Sequence, residues 1–415
     1  MEAGKVFEKA RKLGIHGTIK MGAVKWKKME TGFIFPTAPG RKRILDQLLK
    51  KEYKRIIIFE NHFGYKNIMM QRPQHLLRSM GDDETLVLYN SYYDVDYEGR
   101  GRITQVGRST YVLDLYYYRA YLFEAAKKIE NRYLMVYSTD TVPLRRIDEY
   151  LMRGFKVIYE YVDDINPDLI SPNKIKAILK RHNALLNDER IMVVATADKL
   201  YQNILRHKGK ARAVQISNGA ECIKFDPKSI TEDSQYLNWL NEEKIHVGYY
   251  GALASWVDYE LLNRLAQEQD IQIILIGIEH DDSLEKSGLL GKENVRYFGK
   301  KEYGVLAGYV HYFDVCIIPF VVNEITKATS PVKLFEYMAM EKPVVTTKLP
   351  ECMKYKLVNT ARNKEEFVNM VRECWNQRED TERKERLRQC AWENDWSSKA
   401  EELKVYLAQW EKNER

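Results

Sequence analysis

The chain has 415 residues, 45% of them hydrophobic and 30% charged, a composition that excludes a disordered or collagenous protein and points to two or three domains. Its five cysteines (Cys222, Cys316, Cys352, Cys374, Cys390) are odd in number and without a CxxC pair. They exclude a disulfide framework and a zinc signature and read as buried, inert thiols. No apolar run approaches the ~18 residues of a membrane helix, and residues 1–12 are charged, without the apolar stretch of a secretory signal. The expected location is therefore cytoplasmic.

In chain order, the first feature is a charge imbalance. The whole chain carries a net +7, yet residues 1–55 hold 15 Lys and Arg against 5 Asp and Glu. Lys25, Lys27, Lys28 and the Arg41-Lys42-Arg43 run are interleaved with Ile15, Ile19, Val24, Trp26, Phe33 and Phe35. Residues 1–54 read as a basic arm, either simply solvated or suited to an anionic membrane surface. No motif of a nucleic-acid-binding module is present, so nucleic acid is not an expected partner.

From residue 55, short β-rich runs alternate with helical patterns. The predicted strands are Arg55–Phe59, Leu86–Asn90, Tyr111–Leu115, Leu134–Ser138, Lys156–Tyr161, Ile191–Ala195 and Ala213–Ile216. Helical segments fall at 73–80, 118–129, 143–153, 173–187 and 197–207. This alternation predicts a parallel sheet covered on both faces. Residues 226–244 are polar and acidic and read as a linker. A second alternating set follows: His246–Tyr250, a helix near Tyr259–Glu268, Ile271–Ile276, Val295–Phe298, a helix near 302–311, Val315–Ile318, a helix from about 331, and Pro343–Thr346. Residues 363–412 read as helices only. The expected class is α/β, with two doubly wound Rossmann-like domains (55–225 and 245–390), and with 391–415 a terminal helix packing back on the first. Two such domains in series predict a ligand in the cleft between the carboxyl ends of their sheets.

The most informative segment is Ser330-Pro331-Val332-Lys333-Leu334-Phe335-Glu336-Tyr337-Met338-Ala339-Met340-Glu341-Lys342-Pro343-Val344-Val345. Ser330 suits an N-cap and Pro331 the first helical position, so free N–H groups and a positive dipole end face a phosphate. Lys333 adds a full charge in the first turn. Glu336, three residues on, shares its face and suits a ribose diol. The same pattern is also that of an ordinary capped amphipathic helix.

This segment resembles the donor-site helix of GT-B glycosyltransferases. Gly248-Tyr249-Tyr250-Gly251-Ala252-Leu253-Ala254-Ser255-Trp256-Val257-Asp258 is similar to the first donor-domain strand and turn of a bacterial group near glycosyltransferase family 4. Asn294-Val295-Arg296-Tyr297-Phe298-Gly299 with Tyr303 resembles its base-binding loop, and Asp314-Val315-Cys316-Ile317-Ile318-Pro319-Phe320 the next strand. In the first half, Gln71-Arg72-Pro73-Gln74-His75-Leu76, Tyr161-Val162-Asp163-Asp164 and Ser217-Asn218-Gly219 recur in such enzymes. The match covers about residues 55–355 in order.

The resemblance implies transfer of a sugar from a nucleotide-diphosphate sugar, with UDP favoured over GDP, to a hydroxyl acceptor in surface-polysaccharide assembly. A glycan or lipid-linked acceptor, peripheral membrane association and no cofactor or divalent metal go with it. The donor set is Gly251, Ala252, Trp256, Phe298, Lys300, Tyr303, Ser330, Pro331, Lys333, Leu334 and Glu336. Gly251 and Ala252 are placed in a tight turn after a strand, where backbone approaches the phosphates. Phe298, Lys300 and Tyr303 are placed around the base. A helix N-terminus with Lys333 stabilises a diphosphate leaving group without a metal ion.

Acceptor activation needs a base. Asp164 is the first choice and Asp163 the second, since both end a strand; capping of the following loop is the competing reading. His62 and Gly64, after the first strand, and Gln71, Arg72, Gln74 and His75, opening the next helix, complete an acceptor-side set. Asp94-Val95-Asp96 resembles the DxD of metal-dependent GT-A enzymes, against which stands a solvated loop.

Two positions depart from the pattern. The Glu that many retaining family 4 enzymes carry eight residues before the ribose Glu is Ala328 here, which leaves the anomeric outcome open. The usual glycine after the donor helix is Glu341, so a locally different helix end is expected. A nucleotide-sugar epimerase and a non-catalytic glycan-binding protein on the same fold are the alternatives. No GxGxxG, GxxxxGK[ST] or GxSxG occurs, which argues against nicotinamide Rossmann enzymes, P-loop NTPases and α/β-hydrolases.

Overall fold

The computed structural model describes residues 39–66, 70–91, 103–165, 172–208 and 212–413. Residues 1–38, Asp94, Asp96 and the Asn166-Pro167 dipeptide lie outside them. By internal contacts the chain divides into two units, one comprising residues up to Glu160 and Lys176–Met192, the other Tyr161–Ile175 and Val193–Arg415.

The first sheet contains β1 (Arg55–Phe59), β2 (Thr85–Asn90), β3 (Thr104–Gln105), β4 (Thr110–Leu113), β5 (Asn131–Tyr137), β6 (Lys156–Tyr161), β7 (Ile191–Ala195) and β8 (Ala213–Gln215), in the order β3-β4-β2-β1-β5-β6-β7-β8. β1 and β7 are buried at every position. Burial on both faces explains why their sequences are unbroken apolar runs without alternation. β3 pairs antiparallel at the edge and was not predicted; two exposed residues carry no periodic signal.

The second sheet contains β9 (Ile245–Leu253), β10 (Ile271–Glu279), β11 (Val295–Tyr297), β12 (Val315–Ile318), β13 (Val344–Thr347) and β14 (Asn359–Ala361), in the order β11-β10-β9-β12-β13-β14. Its pairings are all parallel. The order reverses between β9 and β12. In an open α/β sheet that switch point, at the carboxyl ends of the strands, is where ligands bind. The first sheet reverses in the same way between β1 and β5.

Three expectations are corrected. Gly251 and Ala252 do not form a turn after a strand: β9 runs on to Leu253, paired with β10 in the register Gly251↔Gly277 and Ala252↔Ile278. Gly251 has φ 143° and Gly277 φ 149°, and a Cβ on Gly277 would stand 1.7 Å from the Gly251 carbonyl oxygen. The glycine pair therefore permits the strand to continue where side chains would end it. Second, residues 39–48 of the expected arm are a helix, Pro39–Leu48, that belongs to the first unit. Leu45 is buried, while Lys42 and Arg43 are exposed. Third, the acidic stretch 226–244 is packed on the second unit. Tyr236 is fully buried and donates its hydroxyl to the Tyr309 carbonyl at 2.9 Å.

Candidate functional site

In the second unit the helix after β12 runs Val332–Ala339, one residue later than expected, with Pro331 at the N-cap position. Ser330 does not cap it. Its hydroxyl accepts the Asn218 N–H at 3.1 Å, and its carbonyl accepts the Asn218 side-chain amide at 2.8 Å. With no side-chain cap, the first-turn N–H groups of Val332 and Lys333 are left for an incoming acceptor.

Lys333 reaches from this helix to the end of β9. Its Nζ lies 4.6 Å from the Tyr249 ring centroid and 4.9 Å from that of Phe320, and donates to the Tyr249 hydroxyl at 3.3 Å. Two aromatic faces hold the cation. A Cβ on Gly251 would come 2.6 Å from this Nζ, so the absence of a side chain there lets the ammonium stand over the strand end. Burial lowers the Lys333 pKa to about 8, against the raising effect of Glu336. Water still reaches part of the side chain. Such a cation, over exposed backbone at a switch point, meets the demands of a diphosphate.

Glu336 is 3% exposed. It accepts hydrogen bonds from the Tyr250 hydroxyl on one oxygen and from the Tyr303 hydroxyl, at 2.8 Å, on the other. Burial raises its carboxyl, opposed by both phenols and by the Lys333 charge. Tyr303 thus sits against Glu336, with Lys224 Nζ 5.2 Å from its ring centroid. The other expected donor residues divide. Leu334 is 1% exposed and belongs to the core. Phe298 packs edge-on against Tyr236 at 4.9 Å and Trp239 at 5.7 Å, so it anchors the segment 226–244. Trp256 lies against the His280 ring at 5.4 Å. Lys300 is exposed, and the Ala252 carbonyl accepts the Tyr249 hydroxyl at 2.9 Å.

Of the two acids after β6, Asp164 is held by Lys199, Nζ to Oδ2 3.0 Å, and the same ammonium meets Glu324 at 3.1 Å. The ion pair occupies one oxygen of the carboxylate that was the first choice of base. Asp163 is crowded by protein, which raises its pKa, and the Asp164 charge adds to this. Its side chain remains open to water, which limits the effect.

In the first unit, the loops after β1 and β5 meet at the switch point. Asn61 builds an Asx turn, its Oδ1 accepting the N–H groups of Phe63 (3.1 Å) and Gly64 (2.7 Å). Gly64 is buried at φ 81° and has no side chain to offer. The turn presents His62, whose backbone N–H bonds to both oxygens of Asp140 and whose Nδ1 lies 3.2 Å from Asp140 Oδ1 and 3.1 Å from Thr141 Oγ1. An ionised carboxylate only accepts, so the contact with Asp140 favours the tautomer with its proton on Nδ1. Asp140 is 5% exposed, whereas the His62 side chain is 43% exposed. Sequence reasoning missed Asp140. Seventy-eight residues separate it from His62, and only the strand order unites them.

The remaining acceptor-side residues open the helix Arg72–Met80, and all but Gln71 are buried. Arg72, 3% exposed, pairs with the buried Glu160. Gln74 is fully buried, donates to the Tyr65 carbonyl at 3.3 Å and accepts the Gln71 N–H at 3.2 Å. Gln71 is the N-cap of the helix Arg72–Met80, and His75 is 3% exposed inside it. Arg72, Gln74 and His75 are buried in the fold, whereas Gln71 is exposed. Among the described residues no group of three or more His, Cys, Asp or Glu is gathered to hold a metal ion.

Residues 247–377 match the family model for glycosyl transferases group 1. TuaH of Bacillus subtilis (strain 168), whose name assigns it to glycosyl transfer in teichuronic acid biosynthesis, is 24% identical over 223 residues, 52% of this chain and 56% of its own. The chain thus spans about half the length of that curated relative. Among solved structures, HepE of Anabaena in complex with UDP and glucose is similar with a TM-score of 0.59 and 15% identity, over 86% of this chain and 99% of that one. The sucrose-phosphate synthase of Thermosynechococcus elongatus is similar with a TM-score of 0.61 and 15% identity, over 86% and 98%. These likenesses establish the fold as GT-B.

Proposed function

We propose, from a group 1 glycosyltransferase domain at residues 247–377 on a GT-B fold, that the protein transfers a sugar from a nucleotide-diphosphate sugar to a hydroxyl acceptor in the assembly of a surface polysaccharide. The observation that carries this reading is Lys333 standing over Gly251 at the β9/β12 switch point, beside the uncapped start of the helix Val332–Ala339. A diphosphate placed there is stabilised by the ammonium and backbone N–H groups as charge develops on the leaving group. Those groups are sufficient for a reaction without a divalent ion, and we assign the chemistry so. UDP is the favoured nucleotide: HepE is described with UDP and with UDP-glucose, and the Tyr303–Glu336 pair suits a ribose diol.

For acceptor activation we assign the general base to His62, held by Asp140, in place of Asp164. The imidazole is exposed and its carboxylate partner is buried, the arrangement of a base held in place by an acid. Asp163 stands second. The acceptor is a glycan or a lipid-linked glycan, and a peripheral position on an anionic membrane surface suits the basic residues 1–55.

The test is a panel of nucleotides followed by product analysis. Saturating UDP raises the melting temperature, by RT ln(1 + [L]/Kd), more than GDP, ADP or uridine does. With a UDP-sugar alone the products are free sugar and UDP at a slow rate, even with excess EDTA. A donor converted to its epimer with no UDP released would establish the epimerase instead, and no nucleotide response would leave a non-catalytic protein.

A further inference from the structure

Beside this machinery lies a buried cation with no catalytic task. Arg181, on the helix Pro172–Asn187, is 4% exposed. Its Nη2 donates to the carbonyls of Tyr137 and Ser138, both at 2.7 Å, and its Nη1 to that of Val142 at 3.4 Å. Those carbonyls bracket the loop between β5 and the next helix, and Asp140 sits inside the bracket. The adjacent His182 fixes the helix, its Nδ1 2.7 Å from the Tyr159 hydroxyl on β6. Taking a guanidinium out of water costs several kcal/mol unless hydrogen bonds and charge compensate it. Three carbonyls occupy Nη1 and Nη2 while Nε is left without a partner, and Tyr159 and Asp140 favour the charged form against the burial. A neutral amide, with two donors, satisfies fewer of these oxygens and carries no charge.

We infer that Arg181 is a positioning residue: by holding the carbonyls of Tyr137, Ser138 and Val142 it aims the Asp140 carboxylate at His62 and thereby decides which imidazole nitrogen bears the proton. The inference deepens the assignment of His62 as base and rests on it for its catalytic consequence. Its structural content stands apart, because a tautomer is measured without turnover. Ordinary packing by Arg181 would hold the fold and leave the imidazole unaffected.

The experiment uses the full chain labelled with 15N, its His62 signals identified by loss in His62→Gln, with long-range proton–nitrogen spectra recorded where the ring is neutral. The parent is expected to show the Nδ1–H tautomer in excess. Asp140→Asn should remove that excess, Arg181→Gln should remove it equally, and Arg181→Lys, which keeps the charge but not the fork, should remove part of it. Turnover should fall at least tenfold in Arg181→Gln, with donor KM within twofold of the parent. The double variant Arg181→Gln/Asp140→Asn should be no slower than Asp140→Asn alone, because both act through one group. A parent-like His62 tautomer in folded Arg181→Gln overturns the inference, as do effects that add in the double variant. Should Arg181→Gln not fold, Arg181→Lys decides by the same spectra, and a parent-like tautomer there overturns it. If the tautomer responds but His62→Gln turns over like the parent, the positioning role stands and the base assignment falls.

Discussion

Lys333 makes the donor site sensitive to pH in a range where a free lysine is silent. Burial lowers its pKa to about 8, and a bound diphosphate raises it again, so binding takes up a proton above that pH. UDP affinity should fall towards tenfold per unit above pH 8, where UDP itself no longer titrates and the change belongs to Lys333. Uridine, lacking the phosphates, should show no such fall. Lys333→Gln should abolish the pH dependence and weaken UDP at pH 7 by about tenfold to a hundredfold, the worth of a hydrogen bond to a charged group. Calorimetric titration at five pH values checks both, and equal weakening of UDP and uridine makes Lys333 structural. This residue and Glu336 were legible in the sequence because helical periodicity alone puts positions three apart on one face. The partners that tune them were not. Tyr249, Tyr250 and Phe320 converge through sheet order, and Lys199, which engages Asp164, lies 35 residues further along the chain.

The end of the donor helix holds a residue at odds with its backbone. Glu341 has φ 59°, the left-handed conformation that favours glycine. The Lys342 N–H reaches the Tyr337 carbonyl at 3.0 Å and the Glu341 N–H that of Met338 at 2.9 Å, which completes a Schellman motif. The expected local difference at this helix end is therefore absent: the chain keeps the glycine geometry and bears its strain. Glu341→Gly should relieve about 1 kcal/mol, while the loss of the surface pair with Arg388 should cost only tenths. Thermal unfolding should shift upward by about 2 °C in the second unit; a lower melting temperature would show that the ion pair outweighs the strain. Other elements were readable to the extent that burial wrote them. β7 and β12 sit where unbroken apolar runs put them, and β1 and β6 keep their expected bounds although each opens on a basic residue and β6 buries Glu160. β14, three residues at a sheet edge, was missed for want of length. β9 and β10 ran past their expected ends because Gly251, expected in a turn, faces Gly277 across the pair.

At the scale of the whole molecule the alternation of strand and helix predicted two parallel-rich sheets but not their strand orders, and the charge is unevenly distributed along the chain. Residues 1–55 carry 15 Lys and Arg against 5 Asp and Glu, while the rest carries 51 against 54, so the net positive charge belongs to one end. Among the described residues no helix is long and apolar enough to cross a membrane. The lipid-linked acceptor we propose would be met at a membrane surface, and a basic segment interleaved with aromatic residues suits an anionic one. Each Lys or Arg near such a surface contributes roughly 1 kcal/mol, and the field decays over ~8 Å at physiological salt. The full chain should sediment with vesicles containing phosphatidylglycerol and not with phosphatidylcholine alone, and 0.5 M NaCl should release it. Replacing Arg41, Lys42 and Arg43 together by Ala removes three such contributions and should weaken binding on the order of a hundredfold. Lys42 and Arg43 are exposed on a helix whose Leu45 is buried, and Lys42 Nζ lies 5.3 Å from the Tyr121 ring centroid, an exposed contact worth about 0.5–1 kcal/mol, so the triple variant should melt within a few degrees of the parent. Binding that ignores salt, or survives in the triple variant, would move the contact elsewhere on the protein, and no binding at low salt would leave residues 1–55 as a solvated segment.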